Sequence, residues 1–132
     1  MNTVHDKVPA LGISILCFSK NRPFQLDQFL LSCEKHLSPP LSCNIHVIYR
    51  SDDKYENLYE QVFARHSNVE VSSDSADDDV FSFAHRLQEY LDSFKKKRLL
   101  DQSYLCFCVD DMIFTHDVDL MYVVNIHLLV SH

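Results

Sequence analysis

Apolar positions along the chain follow two spacings that alternate. Ile13-Ser-Ile-Leu-Cys-Phe18 is a short run of β-formers and predicts a first strand. Ser19-Lys-Asn21-Arg22-Pro23 interrupts it, and Pro23 suits the first turn of a helix, where its missing N–H costs nothing. Leu26, Phe29, Leu30, Cys33 and Leu37 then recur at i, i+3, i+4, i+7 and i+11, one apolar face of a helix of about four turns. Ser38-Pro39-Pro40 stops it. Ile45 to Tyr49 predicts a second strand, and Arg50-Ser51-Asp52-Asp53 a polar turn. Tyr55, Leu58, Tyr59, Val62 and Phe63 mark a second amphipathic helix.

Val69-Glu-Val71 predicts a short third strand, and Ser72 to Asp79 an acidic loop. Val80, Phe83, Ala84, Leu87, Leu91 and Phe94 outline a third helix. Asp77-Asp-Asp79 sits at its start and Lys95-Lys-Lys-Arg98 where it should end, and both placements suit the helix dipole. Tyr104-Leu-Cys-Phe-Cys-Val109 is a fourth strand, apolar enough to expect burial on both faces of a parallel sheet. Strand and helix alternate from first to last, which predicts an α/β fold: a three-layer, Rossmann-like, mostly parallel sheet with flanking helices.

At 132 residues and 46% hydrophobic content, the chain is expected to form a single domain with a real core. A net charge of −7 gives no electrostatic reason to bind nucleic acid. The five cysteines are odd in number and mostly lie within apolar runs, the usage of small buried hydrophobes in a reducing compartment. Met1 to Leu11 carries charges and no apolar core of a signal peptide, so a cytoplasmic location is expected. Cys106 and Cys108 lack the two-residue spacer of zinc knuckles, although alternation puts both sulfurs on one face of a strand.

The fourth strand stops on Asp110-Asp111, and ligands of open α/β sheets bind at such carboxyl ends. Two carboxylates beside a core need a cation or hydrogen-bond donors, and Mg²⁺ or Mn²⁺ bridging to a phosphate is one such cation. A pair that merely ends the strand and caps the next segment is the other reading. Several phosphate-binding designs are absent. Gly12 is the single glycine and precedes the first strand, so neither a dinucleotide fingerprint nor a P-loop is present. Response-regulator domains want acidic residues after strand one, whereas here they come after strand four. No Gly-x-Ser-x-Gly elbow occurs either.

Two segments together, Phe18-Ser19-Lys-Asn21-Arg22-Pro23-Phe-Gln-Leu26 and Phe107-Cys-Val-Asp110-Asp111-Met-Ile-Phe114, resemble the nucleotide-binding half of a GT-A-fold glycosyltransferase, broadly family-2-like. Relatives there pair an Asn-Arg-Pro-type turn with a later apolar strand ending in an Asp-x-Asp-type motif. The likeness covers about residues 12–120. It implies a UDP- or GDP-type nucleotide-diphospho-sugar as ligand, an unknown acceptor, and Mn²⁺ or Mg²⁺ as cofactor. By that resemblance Phe18 and Ser19 line the nucleoside pocket and Asn21 and Arg22 shape the loop beside it. Arg22 could offer forked donors to a phosphate or brace the loop.

Where many relatives carry Asp-Asp-Gly-Ser after the second strand, this chain has Arg50-Ser51-Asp52, leaving Ser51 or Asp52 to accept from a base. Asp110 or Asp111 would hold the metal, its neighbour orienting the ribose or sugar. Adjacent strand residues face opposite ways, so both reach one ion only if the chain turns at once. The family's chemistry has the metal neutralise a leaving diphosphate while an acceptor hydroxyl attacks the sugar C1.

Beyond Asp111 lie His116, Asp117 and Asp119, with Thr115 to Asp119 expected to begin a helix. Met121 to Val130 is apolar and too short to span a bilayer, which takes about 20 residues. A final buried strand or helix, or a membrane-surface contact that would make the protein peripheral, would each account for it, but the reading preferred is apolar surface left without its partner. Against the resemblance, the chain is expected to stop before an acceptor half. A degenerate nucleotide- or partner-binding remnant is the competing expectation.

Overall fold

In the computed structural model the sequence folds around β1 (Gly12–Lys20), a strand with a parallel neighbour on each side. The structure describes residues 12–37, 42–73, 82–101 and 104–117, the side chains of 12, 42, 43, 82 and 97–101 excepted. After β1 come α1 (Pro23–His36), β2 (Ser42–Arg50), α2 (Asp53–Arg65), β3 (Glu70–Ser73), α3 (Ser82–Asp101) and β4 (Tyr104–Val109). The sheet runs β3-β2-β1-β4 with every pair parallel. The expected α/β class and alternating order are therefore present, as a three-layer Rossmann-like architecture.

Alternation along the strands sorts the layers. Ile13, Ile15 and Cys17 of β1, Val47 and Tyr49 of β2, and Cys108 of β4 face one side and form a single cluster. Leu26, Phe29, Leu30 and Cys33 of α1 close over it, joined by Tyr59 and Val62 of α2. These are the positions the helical spacing marks, and each large side chain fully buried there contributes about 1.5–3 kcal/mol. On the opposite face α3 lays Phe83 edge-on against Phe18, ring centres 5.2 Å apart, and Tyr90 against His46 at 4.9 Å.

Local chemistry explains where α1 and α2 begin and end. Pro23 opens α1 in its first turn, and the first backbone bond runs from Leu26 N–H to the Arg22 carbonyl at 3.0 Å. Lys35 and His36 stand in the last turn, favourable for the dipole. Asp53 and Glu56 stand in the first turn of α2 for the converse reason. His66 caps its far end, donating its N–H to the carbonyls of Val62 and Phe63.

Several expectations are corrected. β4 is not buried on both faces: among the described residues it pairs with β1 alone, and Phe107 (56%) and Val109 (47%) are exposed. Apolar composition reports strand propensity and not the number of neighbours. β3 starts at Glu70 instead of Val69, because Val69 N–H closes a turn onto the His66 carbonyl (3.1 Å) and Glu70 is the first residue in register with β2. Ser72 and Ser73, expected in a loop, complete that strand. α3 continues to Asp101, so the basic quartet lies inside its last turns and not at its end. Thr115 to Asp117 carry no helical turn. Asp77–Asp79, Asp119 and the apolar stretch 121–130 lie outside the described residues. No helix among the described residues is long and apolar enough to cross a membrane.

Candidate functional site

The carboxyl ends of β1 and β4 lie side by side, and the turns leaving the two strands meet there. Ser19, near the end of β1, is buried and donates its hydroxyl hydrogen to Asp110 Oδ2 at 2.7 Å. Its oxygen also lies 2.7 Å from the Tyr59 hydroxyl of α2. Tyr59 in turn accepts the Arg22 backbone N–H at 2.9 Å. A serine hydroxyl has one hydrogen, so once it serves the carboxylate the Tyr59 hydroxyl must be the donor to Ser19. The bonds therefore form one directed chain, from Arg22 N–H through Tyr59 and Ser19 to Asp110. Burial raises the Tyr59 phenol above its ordinary value, against the opposing pull of its bonds to Ser19 and Arg22.

Asp110 is only 4% exposed, and a buried carboxylate needs such donors. Arg22 supplies charge as well: its Nη1 lies 3.6 Å from Asp110 Oδ1 and 4.0 Å from Asp111 Oδ2. The chain does turn immediately after β4, with Met112 N–H on the Val109 carbonyl at 3.2 Å. That turn undoes the strand alternation and brings both carboxylates around one guanidinium.

Asn21 organises the neighbouring loop. It holds a left-handed backbone (φ 54°), which asparagine tolerates better than most residues. Its N–H reaches the Arg50 carbonyl at 3.0 Å, and its side-chain amide clasps Asp52 through Nδ2 to Oδ2 (2.9 Å) and from Asp52 N–H to Oδ1 (2.8 Å). The turn after β1 is thereby tied to the turn after β2. Ser51 donates to the Asp52 carbonyl.

A cavity of about 440 Å³ opens at this edge. Phe18, Phe83 and Ile48 give it apolar walls, Lys20, Arg22 and Arg50 three cationic ones, and Ser19 and Asp110 its polar floor. Of the residues singled out in the sequence, Phe18, Ser19, Arg22 and Asp110 line it together. Asp111 instead borders a shallow hollow beside it with Phe24 and Ile113. Asn21, Ser51 and Asp52 do not line the cavity; they brace its rim. Of the residues beyond Asp111, His116 Nδ1 pairs with Thr115 Oγ1 at 2.9 Å, and Asp117 with His36 at 2.9 Å.

Sequence reasoning missed Tyr59, Lys20, Arg50 and Phe83. Tyr59 sat on an apolar helical stripe, and only its hydroxyl, which a buried tyrosine must satisfy, signalled more than packing. Lys20 and Arg50 are register partners at the ends of parallel strands, a signal that exists once β1 and β2 are paired.

For a divalent cation, the donors present are the Asp110 and Asp111 carboxylates, with the Arg22 guanidinium standing between them. Among the described residues no group of three or more His, Cys, Asp or Glu could hold a metal ion. Two carboxylates alone would leave most of a divalent cation's six or more oxygen positions to other ligands. Sheet order and strand-end cluster together define a Rossmann-like α/β protein with a polar-floored, cation-rimmed cavity at the carboxyl edge. No protein-family model and no curated protein matches the chain.

Proposed function

We propose that the domain binds a nucleotide-diphospho-sugar at this edge and is glycosyltransferase-like. The observation that carries the reading is the cavity itself: aromatic walls fit a flat base, and Lys20, Arg22 and Arg50 fit a diphosphate. In this reading Arg22 exchanges its carboxylate partners for phosphate oxygens, which its half-exposed side chain leaves room to do. Asp110 stays fixed by Ser19, and Asp111 is the exposed carboxylate of the hollow beside the cavity. A bound Mg²⁺ or Mn²⁺ would supply Lewis-acid neutralisation of the diphosphate, held by Asp110 and Asp111. The resemblance in the Asn21-Arg22-Pro23 and Asp110-Asp111 segments supports the same ligand class.

A second reading, a non-catalytic partner-binding module, draws on the exposed Phe107, Val109, Met112 and Ile113 beside the cavity. Calorimetric titration with UDP, GDP and CDP, with and without Mn²⁺, separates the two. The first reading expects metal-dependent binding that Asp111→Asn weakens at least several-fold. A well-folded protein that binds none of the three nucleotides would sink it, and turnover of any nucleotide sugar would sink the second.

A further inference from the structure

Cys106 and Cys108 stand two apart on β4, so alternation points both sulfurs to the same face, and their Sγ atoms lie 3.8 Å apart. The two differ in surroundings. Cys106 is exposed, whereas Cys108 is buried among Cys17, Cys33 and the apolar cluster beneath α1. An accessible thiol backed by a shielded one at near-contact distance is the arrangement of an attacking and a resolving cysteine. Among the described residues, Cys17 and Cys33 are buried and offer no accessible sulfur.

We propose that Cys106 and Cys108 are a redox-active dithiol that hydroperoxides convert reversibly to an intrachain disulfide. The Cys106 thiolate attacks one peroxide oxygen and the O–O bond breaks. The departing oxygen takes a proton and leaves as water or an alcohol, with Cys106 as the sulfenic acid. Cys108 then attacks the Cys106 sulfur, the S–O bond breaks, and the hydroxyl leaves as water with the Cys108 proton. Two thiols lose two electrons and the peroxide gains them, so a dithiol reductant restores the pair by exchange.

The electrostatics of the pair run in the same direction. The hydrogen bond from Cys108 pulls the Cys106 thiol below its ordinary value, against the opposing effect of burial, and so favours its thiolate. Residues two apart on a strand have Cα atoms roughly 6.6–6.8 Å apart, at the far end of what a disulfide spans. The bond so formed is strained and easily reduced, as a reversible site requires. Nothing in this chemistry depends on a nucleotide in the cavity.

The test uses the full reduced chain, hydrogen peroxide at stoichiometric amounts, and alkylation in denaturant after the peroxide is removed, before tryptic mapping. Cys106 and Cys108 share the peptide from Leu99 to His132, which contains no other cysteine. That peptide should lose two hydrogens and both alkylation sites while Cys17 and Cys33 remain alkylatable, and dithiothreitol should reverse the change. In Cys108→Ser the reaction should halt at a Cys106 sulfenic acid that dimedone traps. Interchain dimers as the main product, irreversible oxygen addition without hydrogen loss, or oxidation of Cys17 as fast as Cys106 would each overturn the proposal.

Discussion

At the scale of single residues, Ser19 does two jobs with one hydroxyl. It donates to Asp110 and receives Tyr59, so removing it strips a buried carboxylate of a donor and leaves the Tyr59 hydrogen without its acceptor. Ser19→Ala should cost about 2–3 kcal/mol in urea unfolding, the range for losing a bond to a buried charge. Tyr59→Phe should cost about 1–2 kcal/mol, because it orphans the Arg22 N–H instead. Since both belong to one chain of bonds, the double variant should lose measurably less than the two single losses combined. Strict additivity would show that the hydroxyls act separately.

This is also the scale at which the sequence was least legible. Ser19, Arg22 and Asp110 were visible as polar residues closing strand-like runs. Tyr59 was not, because its position on the apolar stripe of α2 hid a polar tip that turns back toward β1. Nor could spacing alone say that Asn21 and Asp52 would engage each other instead of a ligand, for their pairing spans two separate loops.

At the scale of elements, α1 and α2 are pinned by His66. The imidazole is buried at the end of α2, with Nε2 2.9 Å from Asp27 Oδ1 and Nδ1 2.6 Å from Glu34 Oε1, both on α1. Arg65 adds a second, outer contact to Asp27 at 3.2 Å. His66→Ala should lower stability by about 2 kcal/mol, with Arg65 retaining part of the link. His66→Gln, which can still reach one carboxylate, should lose less by the same urea assay. The elements were legible from periodicity to within a few residues. Their neighbours were not: an apolar run such as Tyr104–Val109 has the same composition whether it lies inside a sheet or at its margin.

At the scale of the molecule, three tyrosines bear on alkaline stability. Burial raises Tyr49, Tyr59 and Tyr90 above their ordinary 10.0. Below that value each phenol is neutral in the folded and the unfolded chain, and its contribution is complete. Above it the unfolded chain ionises first and binds fewer protons, so unfolding becomes easier as pH rises through the folded-state values. Unfolding free energies measured either side of pH 10 should therefore fall with pH, and Tyr59→Phe should make the decline shallower. An equal slope in wild type and variant would show that Tyr59 ionises alike in both states.

The order of strands has a consequence in time. Ser19 and Asp110 are 91 positions apart, yet β1 and β4 are neighbours in the sheet. On a ribosome adding about 5–20 residues per second, β1 emerges roughly 5–20 s before its second partner exists. During that interval one side of β1 is an open edge, able to pair with any extended chain nearby. β4 thus joins the sheet and brings Asp110 to the cavity in the same event, and a nascent chain has only the Ser19 half of that floor until its last described strand has been made.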